Sequence, residues 1–199
     1  MARPRVRERL LDAAYMLLRD EGAGALTTRG VAAKAGTTEA SVFNNFGDKA
    51  GMLRALINER LPELVEAKDC VEHGSTEDLR QWLELVYHHA ERFYITGAPL
   101  TASFWTGSHR DNNGGAPTDN LFLVHYALCR RLQRLQEDGR IARQVNARAI
   151  AYLLLGAALH NALDTISQRF GCSSSPERDG GEAATAKATI DSVHRMLVA

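Results

Sequence analysis

The chain has 199 residues, 45% of them apolar and 24% charged, which is an ordinary composition for a globular protein. No apolar run approaches the ~20 residues of a membrane span, and the first residues lack the apolar stretch of a secretory signal. The three cysteines, Cys70, Cys129 and Cys172, are widely spaced and odd in number. They fit free thiols in a reducing compartment, so we expect a cytoplasmic protein with no membrane association, metal or other cofactor.

The net charge is zero, but the charges are unevenly distributed. Residues 1–50 carry eight Lys or Arg and six Asp or Glu, whereas the rest carries sixteen and eighteen. Four arginines, Arg3, Arg5, Arg7 and Arg9, cluster at the start. This pattern indicates a mildly basic head on a mildly acidic body. A solvated basic end explains the cluster as well as a nucleic-acid contact does.

Four helices are predicted in the first third of the chain. The first runs over residues 6–21, the second over 29–35, the third over 39–45 and the fourth over 49–67. Glycines at positions 22, 36 and 47 separate them. Thr27 or Thr28 is suited to cap the second helix, Thr37 or Thr38 the third, and Asp48 the fourth. Pro62 lies inside the fourth pattern, so that helix must bend or restart there.

The remaining chain also shows helical periodicity. Helices are predicted over residues 77–96, 99–108, 119–138, 143–170 and 182–198, with polar loops at 73–76, 111–118 and 171–181. No segment has a convincing strand pattern and no repeat is visible. The sequence therefore predicts an all-α protein.

The third helix is too short to be a core element. It directs Val42 and Phe46 inward and small or amide side chains outward, which suits insertion into a major groove.

The chain here resembles the TetR-type (tetracycline-repressor-like) regulators, whose signature is matched by Thr38, Ala40, Ser41, Val42, Phe43, Asn44, Asn45, Phe46, Gly47, Asp48 and Lys49. Residues 26–32 resemble the start of the family's second helix. The resemblance implies a three-helix helix-turn-helix domain over 1–48 and a larger helical ligand-binding and dimerisation domain over 49–199.

The resemblance also implies how DNA is contacted. Helix N-termini at Thr28, Thr38 and Lys49 would face phosphates, as their free N–H groups favour. The expected DNA-binding residues are Thr28, Arg29, Thr38, Glu39, Ala40, Ser41, Phe43, Asn44, Asn45 and Lys49. Phe43 and Asn45 depart from the family's usual Tyr and His or Tyr. Phe43 cannot donate a hydrogen bond, and its packing in the core of the small domain is the favoured alternative.

Two further sites are expected in the body. The helix predicted over 143–170 is apolar nearly all round, and the last helix has nothing after it to cover its apolar side. Pairing with a second copy predicts a dimer interface of Ile150, Leu154, Ala157, Ala158, Ile190, Val193 and Leu197, unless these residues are buried within one chain. A ligand pocket is expected among Trp82, Tyr87, His88, Phe93, Phe104, Trp105, Phe122, His125 and Tyr126, each of which could instead be core.

These expectations favour a homodimeric repressor, released from near-palindromic double-stranded operator DNA by a small apolar or amphipathic effector. The alternative keeps the DNA-binding head and makes the body a protein-interaction module without a small-molecule pocket. An enzyme is disfavoured because no nucleophile elbow, phosphate-binding glycine loop or metal cluster is present. The His88–His89 pair and the His160/Asp164 pair are more typical of structural contacts than of metal ligands.

Overall fold

The computed structural model describes residues 5–102, 121–169 and 181–199. These residues form nine α-helices and no strand, which confirms the predicted all-α class. The helices are α1 (Val6–Glu21), α2 (Thr28–Lys34), α3 (Glu39–Phe46), α4 (Lys49–Arg60), α5 (Pro62–His73), α6 (Leu79–Thr101), α7 (Leu123–Glu137), α8 (Ala147–Arg169) and α9 (Gly181–Val198). The predicted helix over 99–108 and the loops over 111–118 and 171–181 lie wholly or largely outside the described residues.

The chain divides into two compact units. Unit 1 comprises Met1–Pro62 and Pro99–Asn120, and unit 2 comprises Glu63–Ala98 and Leu121–Ala199. Unit 1 therefore continues to Pro62, past the boundary predicted at residue 48. The reason is that α4 packs against α1 and α3 and buries Met52, Leu56 and Ile57.

Side-chain caps and glycines set the helix starts and ends in unit 1. The Thr27 hydroxyl accepts a hydrogen bond from the Gly30 amide at 2.9 Å, so Thr27 rather than Thr28 caps α2. Asp48 caps α4 by accepting from the Gly51 amide at 2.7 Å. Gly47 ends α3 with a φ of +81°, which a residue with a Cβ rarely adopts.

Pro62 separates α4 from α5. The predicted fourth helix ends at Arg60, Leu61 is extended with φ −82° and ψ 108°, and a new helix starts at Pro62. Proline disfavours a helical conformation in the residue before it and fits the first helical position, where its missing N–H costs nothing. Of the two outcomes predicted for this position, the structure shows the restart.

In unit 2, α7 and α9 pack against α8. The apolar stripe of α6 buries Trp82, Tyr87 and Phe93, and the Trp82 indole donates to the Cys70 carbonyl at 3.1 Å. Among the described helices, α8 alone is long and apolar enough to cross a membrane, with a mean hydropathy of 1.4. Eight of the 23 side chains of α8 are buried in this chain.

Candidate nucleic-acid interface

The exposed side of α3 is the candidate nucleic-acid interface. Helices α2 and α3 form a helix-turn-helix that packs against α1. Only Val42 of α3 is fully buried, whereas Glu39, Ala40 and Asn44 are exposed. The described structure thus places the predicted base-reading residues together on the solvent side of a two-turn helix. A helix of this size and polarity fits the major groove of B-DNA.

Hydroxyl groups surround the start of α3. The Ser41 Oγ lies 2.9 Å from the Thr37 Oγ1 and 3.1 Å from the Thr38 Oγ1. The backbone of Thr38 is extended, as at a helix N-cap, but its side chain bonds Ser41 rather than a backbone amide. The Ser41 N–H donates to the Thr38 carbonyl at 2.9 Å, whereas the N–H groups of Glu39 and Ala40 receive no side-chain acceptor from Thr38 and point the start of α3 toward an anion.

Phe43 is 47% exposed on α3, so the expectation that it packs in the core is wrong. Val42 fills the core position, and the next residue lies about 100° further round the helix. The half-buried Phe46 is the inward-facing aromatic, and the Arg7 guanidinium lies over its ring at 5.3 Å from the centroid. Phe43 has only apolar contact to offer a sugar or a thymine methyl group.

Asn45 is tied to its own helix. Its Nδ2 donates to the Ser41 carbonyl at 2.7 Å, and its side chain is exposed. An amide nitrogen carries two hydrogens, so one remains available for a phosphate oxygen. The hydrogen bond restricts the rotamer of Asn45 and thus fixes the position from which this group can donate.

Charged groups near the interface differ in their availability. Arg29 and Lys49 form no ion pair with any described residue. Arg7, by contrast, makes a two-pronged ion pair with Glu59, with both N–O distances at 2.6 Å. Hydrogen bonding to Glu59 raises the pKa of Arg7, and the same bond lowers the pKa of Glu59. Arg7 therefore ties α1 to α4, and its charge is largely compensated.

The aromatic residues predicted for a ligand pocket occupy different environments. Trp82, Tyr87 and Phe93 are buried in unit 2, while Phe104 and Trp105 lie outside the described residues. His88, Phe122 and Tyr126 are exposed in this chain, and a ligand pocket formed by these residues stays a prediction. Each of the three follows directly after a buried residue: His88 after Tyr87 on α6, Tyr126 after His125 on α7, and Phe122 after Leu121 just before α7.

His125 and Tyr94 are both buried in unit 2. His125 is 6% exposed, and its ring lies 4.6 Å from that of Tyr152 in an edge-on contact. The helical period points either Phe93 or Tyr94 inward on α6, and the structure buries both side chains. Burial raises the pKa of Tyr94.

The predicted dimer residues also separate by burial. Ile150, Leu154, Ala158, Ile190, Val193 and Leu197 are buried within the chain, and only Ala157 keeps appreciable exposure. This burial fits the alternative of packing within one chain, and the pairing of α8 and α9 with a second copy stays a prediction. Between these two helices runs an open groove of about 700 Å³, lined by Leu153, Ala157, Ala184, Thr185, Ala188, Thr189, Ser192, Val193 and Met196.

Within the described residues, no three His, Cys, Asp or Glu side chains converge as metal ligands would. His160 Nε2 lies 3.6 Å from Asp164 Oδ2 on α8, as a one-turn pair. His88 Nδ1 lies 3.4 Å from Glu91 Oε2 on the exposed side of α6. Both contacts are ordinary surface pairs between neighbouring turns.

Comparison with known proteins agrees with this architecture. Residues 10–56 match the model of the family "Bacterial regulatory proteins, tetR family". The HTH-type transcriptional regulator YvkB of Bacillus subtilis is 44% identical over 52 residues, which cover 26% of this chain and 28% of that protein. The regulator BetI of Stenotrophomonas maltophilia is 28% identical over 79% of this chain and 81% of its own. YvkB is described as uncharacterized.

A solved putative TetR-family regulator from Rhodococcus sp. has the same fold, with a TM-score of 0.63 and 14% identity over 96% of this chain and 98% of that chain. The resemblance drawn from the sequence is thus confirmed. Residues 10–56 thus match the helix-turn-helix of the tetR family, and the described helices share the fold of solved TetR-family regulators. YvkB and BetI both carry the names of transcriptional regulators.

Proposed function

We propose that the protein is a cytoplasmic, homodimeric repressor whose release from a near-palindromic operator is triggered by a small apolar or amphipathic molecule. The observation that carries this proposal is the outward side of α3. Glu39, Ala40 and Asn44 are exposed there, and the packing of unit 1 needs only Val42 of this helix to be fully buried. Side chains kept exposed on a short, rigidly packed helix are suited to contact base edges.

Phosphate contacts come from helix N-termini. The starts of α2, α3 and α4 carry Thr28, Thr38 and Lys49, and each offers backbone N–H groups and a partial positive charge to an anion. Lys49 adds a full charge that no described acid neutralises. Asn44 is suited to a bidentate contact with adenine, and Ala40 to a thymine methyl group. The phosphate contacts would position α3 in the groove, and the base contacts would read the DNA sequence.

Dimerisation is proposed through the exposed sides of α8 and α9. Leu153 and Met196 are 50% and 46% exposed, and small side chains such as Ala184 and Ala188 lie beside them in the groove. Small residues allow helices of two copies to approach closely and to interdigitate larger side chains. Two copies would present two α3 helices to half-sites about 34–36 Å apart, or a multiple of that distance.

Effector binding is proposed in the body. Its α6 buries several large aromatic side chains, and polar groups such as His125 and Asn161 are buried in the same unit. Apolar walls with a few polar groups are typical of small-molecule sites. An effector would act by binding better to dimers whose recognition helices are wrongly spaced, which shifts the population away from the DNA-binding form.

A second candidate for the body is a protein-interaction module. Phe122, Tyr126 and Tyr152 are 43%, 53% and 54% exposed, and the His125 ring lies against both tyrosines. Exposed aromatic groups of this kind are enriched at protein interfaces. A screen of apolar small molecules for displacement of the DNA-bound protein separates the two candidates, because only the first predicts release by such a molecule alone.

The first test is selection of bound duplexes from a random pool, followed by fluorescence anisotropy over a salt series with the Lys49→Gln variant. Wild-type protein should enrich a near-palindrome. Lys49→Gln should bind it more weakly, with a salt slope smaller by about 0.9 for each subunit, because one phosphate contact is lost. Its unfolding free energy should not fall, since a cation at the N-terminus of α4 opposes the helix dipole.

Lys68→Gln is the matched control, because it removes the same charge from a partly exposed position of α5, outside both the candidate interface and the proposed dimer surface. This variant should keep the wild-type affinity and salt slope. An unchanged slope in Lys49→Gln would contradict the proposed phosphate contact. Failure of the wild-type protein to enrich any sequence would contradict operator recognition altogether.

A further inference from the structure

A hydrogen bond joins the first residues of α2 and α3. Thr28 Oγ1 donates to Glu39 Oε1 at 2.6 Å, and Glu39 is exposed to solvent. Thr28 is half-buried at the start of α2, where a phosphate contact is proposed. Glu39 is the first residue of α3, where a base contact is proposed. The bond therefore links the phosphate-binding and base-reading positions of unit 1.

The chemistry of the Thr28 hydroxyl makes Glu39 and a phosphate mutually exclusive acceptors for it. A threonine hydroxyl has one hydrogen, and an ionised carboxylate only accepts hydrogen bonds. Phosphate oxygens on the DNA backbone are acceptors as well. Thr28 therefore cannot donate to a phosphate while it donates to Glu39. Glu39 has no second hydrogen-bond donor among the described residues, so losing Thr28 leaves its carboxylate without a protein partner.

We infer that DNA binding exchanges this bond, and that Glu39 thereby becomes a specificity-determining residue. The inference rests on the proposed operator binding. The hydroxyl of Thr28 turns to a phosphate, and the carboxylate of Glu39 accepts from an exocyclic amino group, with cytosine N4 as its expected partner. Where guanine or thymine occupies this strand position, that base offers the carboxylate no hydrogen-bond donor. The affinity for such sites is lower, because the Glu39 carboxylate loses the Thr28 hydroxyl as a donor and gains none from the base.

A double-mutant cycle on a duplex of unrelated sequence tests the exchange. Glu39→Ala frees the Thr28 hydroxyl, so binding to this duplex should strengthen by about two- to tenfold, the range expected for one gained hydrogen bond. In a Thr28→Val background, Glu39→Ala should increase the affinity for this duplex clearly less, because there is no Thr28 hydroxyl to be released. Unequal gains measure the coupling between the two residues.

Two control variants and one structural measurement keep the test specific. Glu21→Ala removes one negative charge from another exposed position of unit 1, and its effect should be the same with and without Thr28. Thr28→Ser keeps the hydroxyl and should restore the wild-type coupling. Far-UV circular dichroism of each variant establishes that the helices are formed. Equal gains from Glu39→Ala in both Thr28 backgrounds would overturn the exchange.

The second readout is base preference. Duplex selection with Glu39→Gln should replace the preferred cytosine by adenine at one position of each half-site, because glutamine pairs with adenine N6 and N7. An unchanged preference at every position would overturn the role of Glu39 as a specificity determinant. A wild-type protein that enriches no sequence would instead overturn the proposed function, so the two failures are distinguishable.

Discussion

His125 shows how packing sets the protonation of a single residue. Its imidazole is buried on α7, with the ring of Tyr152 beside it and its Nε2 at 3.5 Å from the Cys129 thiol. Burial lowers the pKa of His125, and the positive charge of Arg148 lowers it further. Burial likewise raises the pKa of Cys129, so this pair is neutral near pH 7. A neutral pair is compatible with the apolar surroundings.

The lowered pKa of His125 predicts a pH dependence of folding stability. The unfolded chain takes up the proton near the ordinary pKa of 6.5, before the folded chain does. The free energy of unfolding should therefore decrease as pH falls below about 6.5 and level off below the native pKa. Urea unfolding at pH 7.5 and 5.0 should show a smaller loss for His125→Asn than for wild type.

Arg148→Gln is a second variant for this measurement. It removes the charge that adds to the effect of burial, so its pH-dependent loss should lie between those of wild type and His125→Asn. An equal loss in all three proteins would assign the pH dependence to other groups.

At the scale of helices, the sequence predicted where each helix starts and ends better than it predicted which side chains of the helix are buried. Caps, glycines and Pro62 act through local geometry, so the sequence placed α1, α2, α3 and the break after α4 within a residue or two. The orientation of Phe43 could not be predicted in this way. Two adjacent apolar residues compete for one core position, and only tertiary packing determines which of them is buried.

The same limit applies to α8 and α9. Apolar residues occur on nearly all sides of both helices. The periodicity of the sequence therefore cannot separate the residues that pack within the chain from those that would contact a second copy. The burial of Ile150, Leu154 and Leu197 within the chain could be read only from the assembled helices. The polar residues of the candidate interface were predictable because they follow recognisable caps in a short helix.

The junction between α3 and α4 depends on Gly51. A Cβ at this position would overlap the carbonyl oxygen of Phe46, which belongs to the last residue of α3. We therefore expect Gly51→Ala to lower the free energy of unfolding by about 1–3 kcal/mol, because the backbone must shift to relieve the overlap. Equilibrium urea unfolding measures this change.

Gly24→Ala is the matched control for Gly51→Ala. A Cβ at Gly24 meets no atom within 4 Å, so its effect should stay within about 0.5 kcal/mol. Comparable stability of the two variants would show that the packing of α3 on α4 tolerates the added methyl group.

At the scale of the whole molecule, the proposed assembly makes DNA binding depend on the body. A two-turn helix from one subunit buries little surface on DNA, whereas two linked subunits bind two half-sites as one event. The exposed apolar side chains of α8 and α9 are therefore as important to operator affinity as the contacts of α3. This dependence can be tested without any knowledge of the effector.

Leu153→Glu and Met196→Glu should each convert the dimer to a monomer in sedimentation velocity, because two like charges would meet across the α8–α9 surface. Affinity for the selected near-palindrome should then fall by about a hundredfold, as the effective concentration of the second head is lost.

Leu85→Glu provides the control, since Leu85 is 48% exposed on α6 and lies outside the groove. Leu85→Glu should leave both the dimer in sedimentation velocity and the affinity for the selected near-palindrome unchanged. Monomers from all three variants would point to general destabilisation, and dimers from all three would exclude this surface as the interface.

The single fully buried side chain of α3 has an evolutionary consequence. Val42 ties this helix to the core, and the remaining outward positions are free of packing demands. Substitutions there should therefore drift or be redesigned with little penalty to folding. A lineage could acquire new target genes by changing a handful of codons, and an engineer could reprogram the head while leaving its scaffold intact.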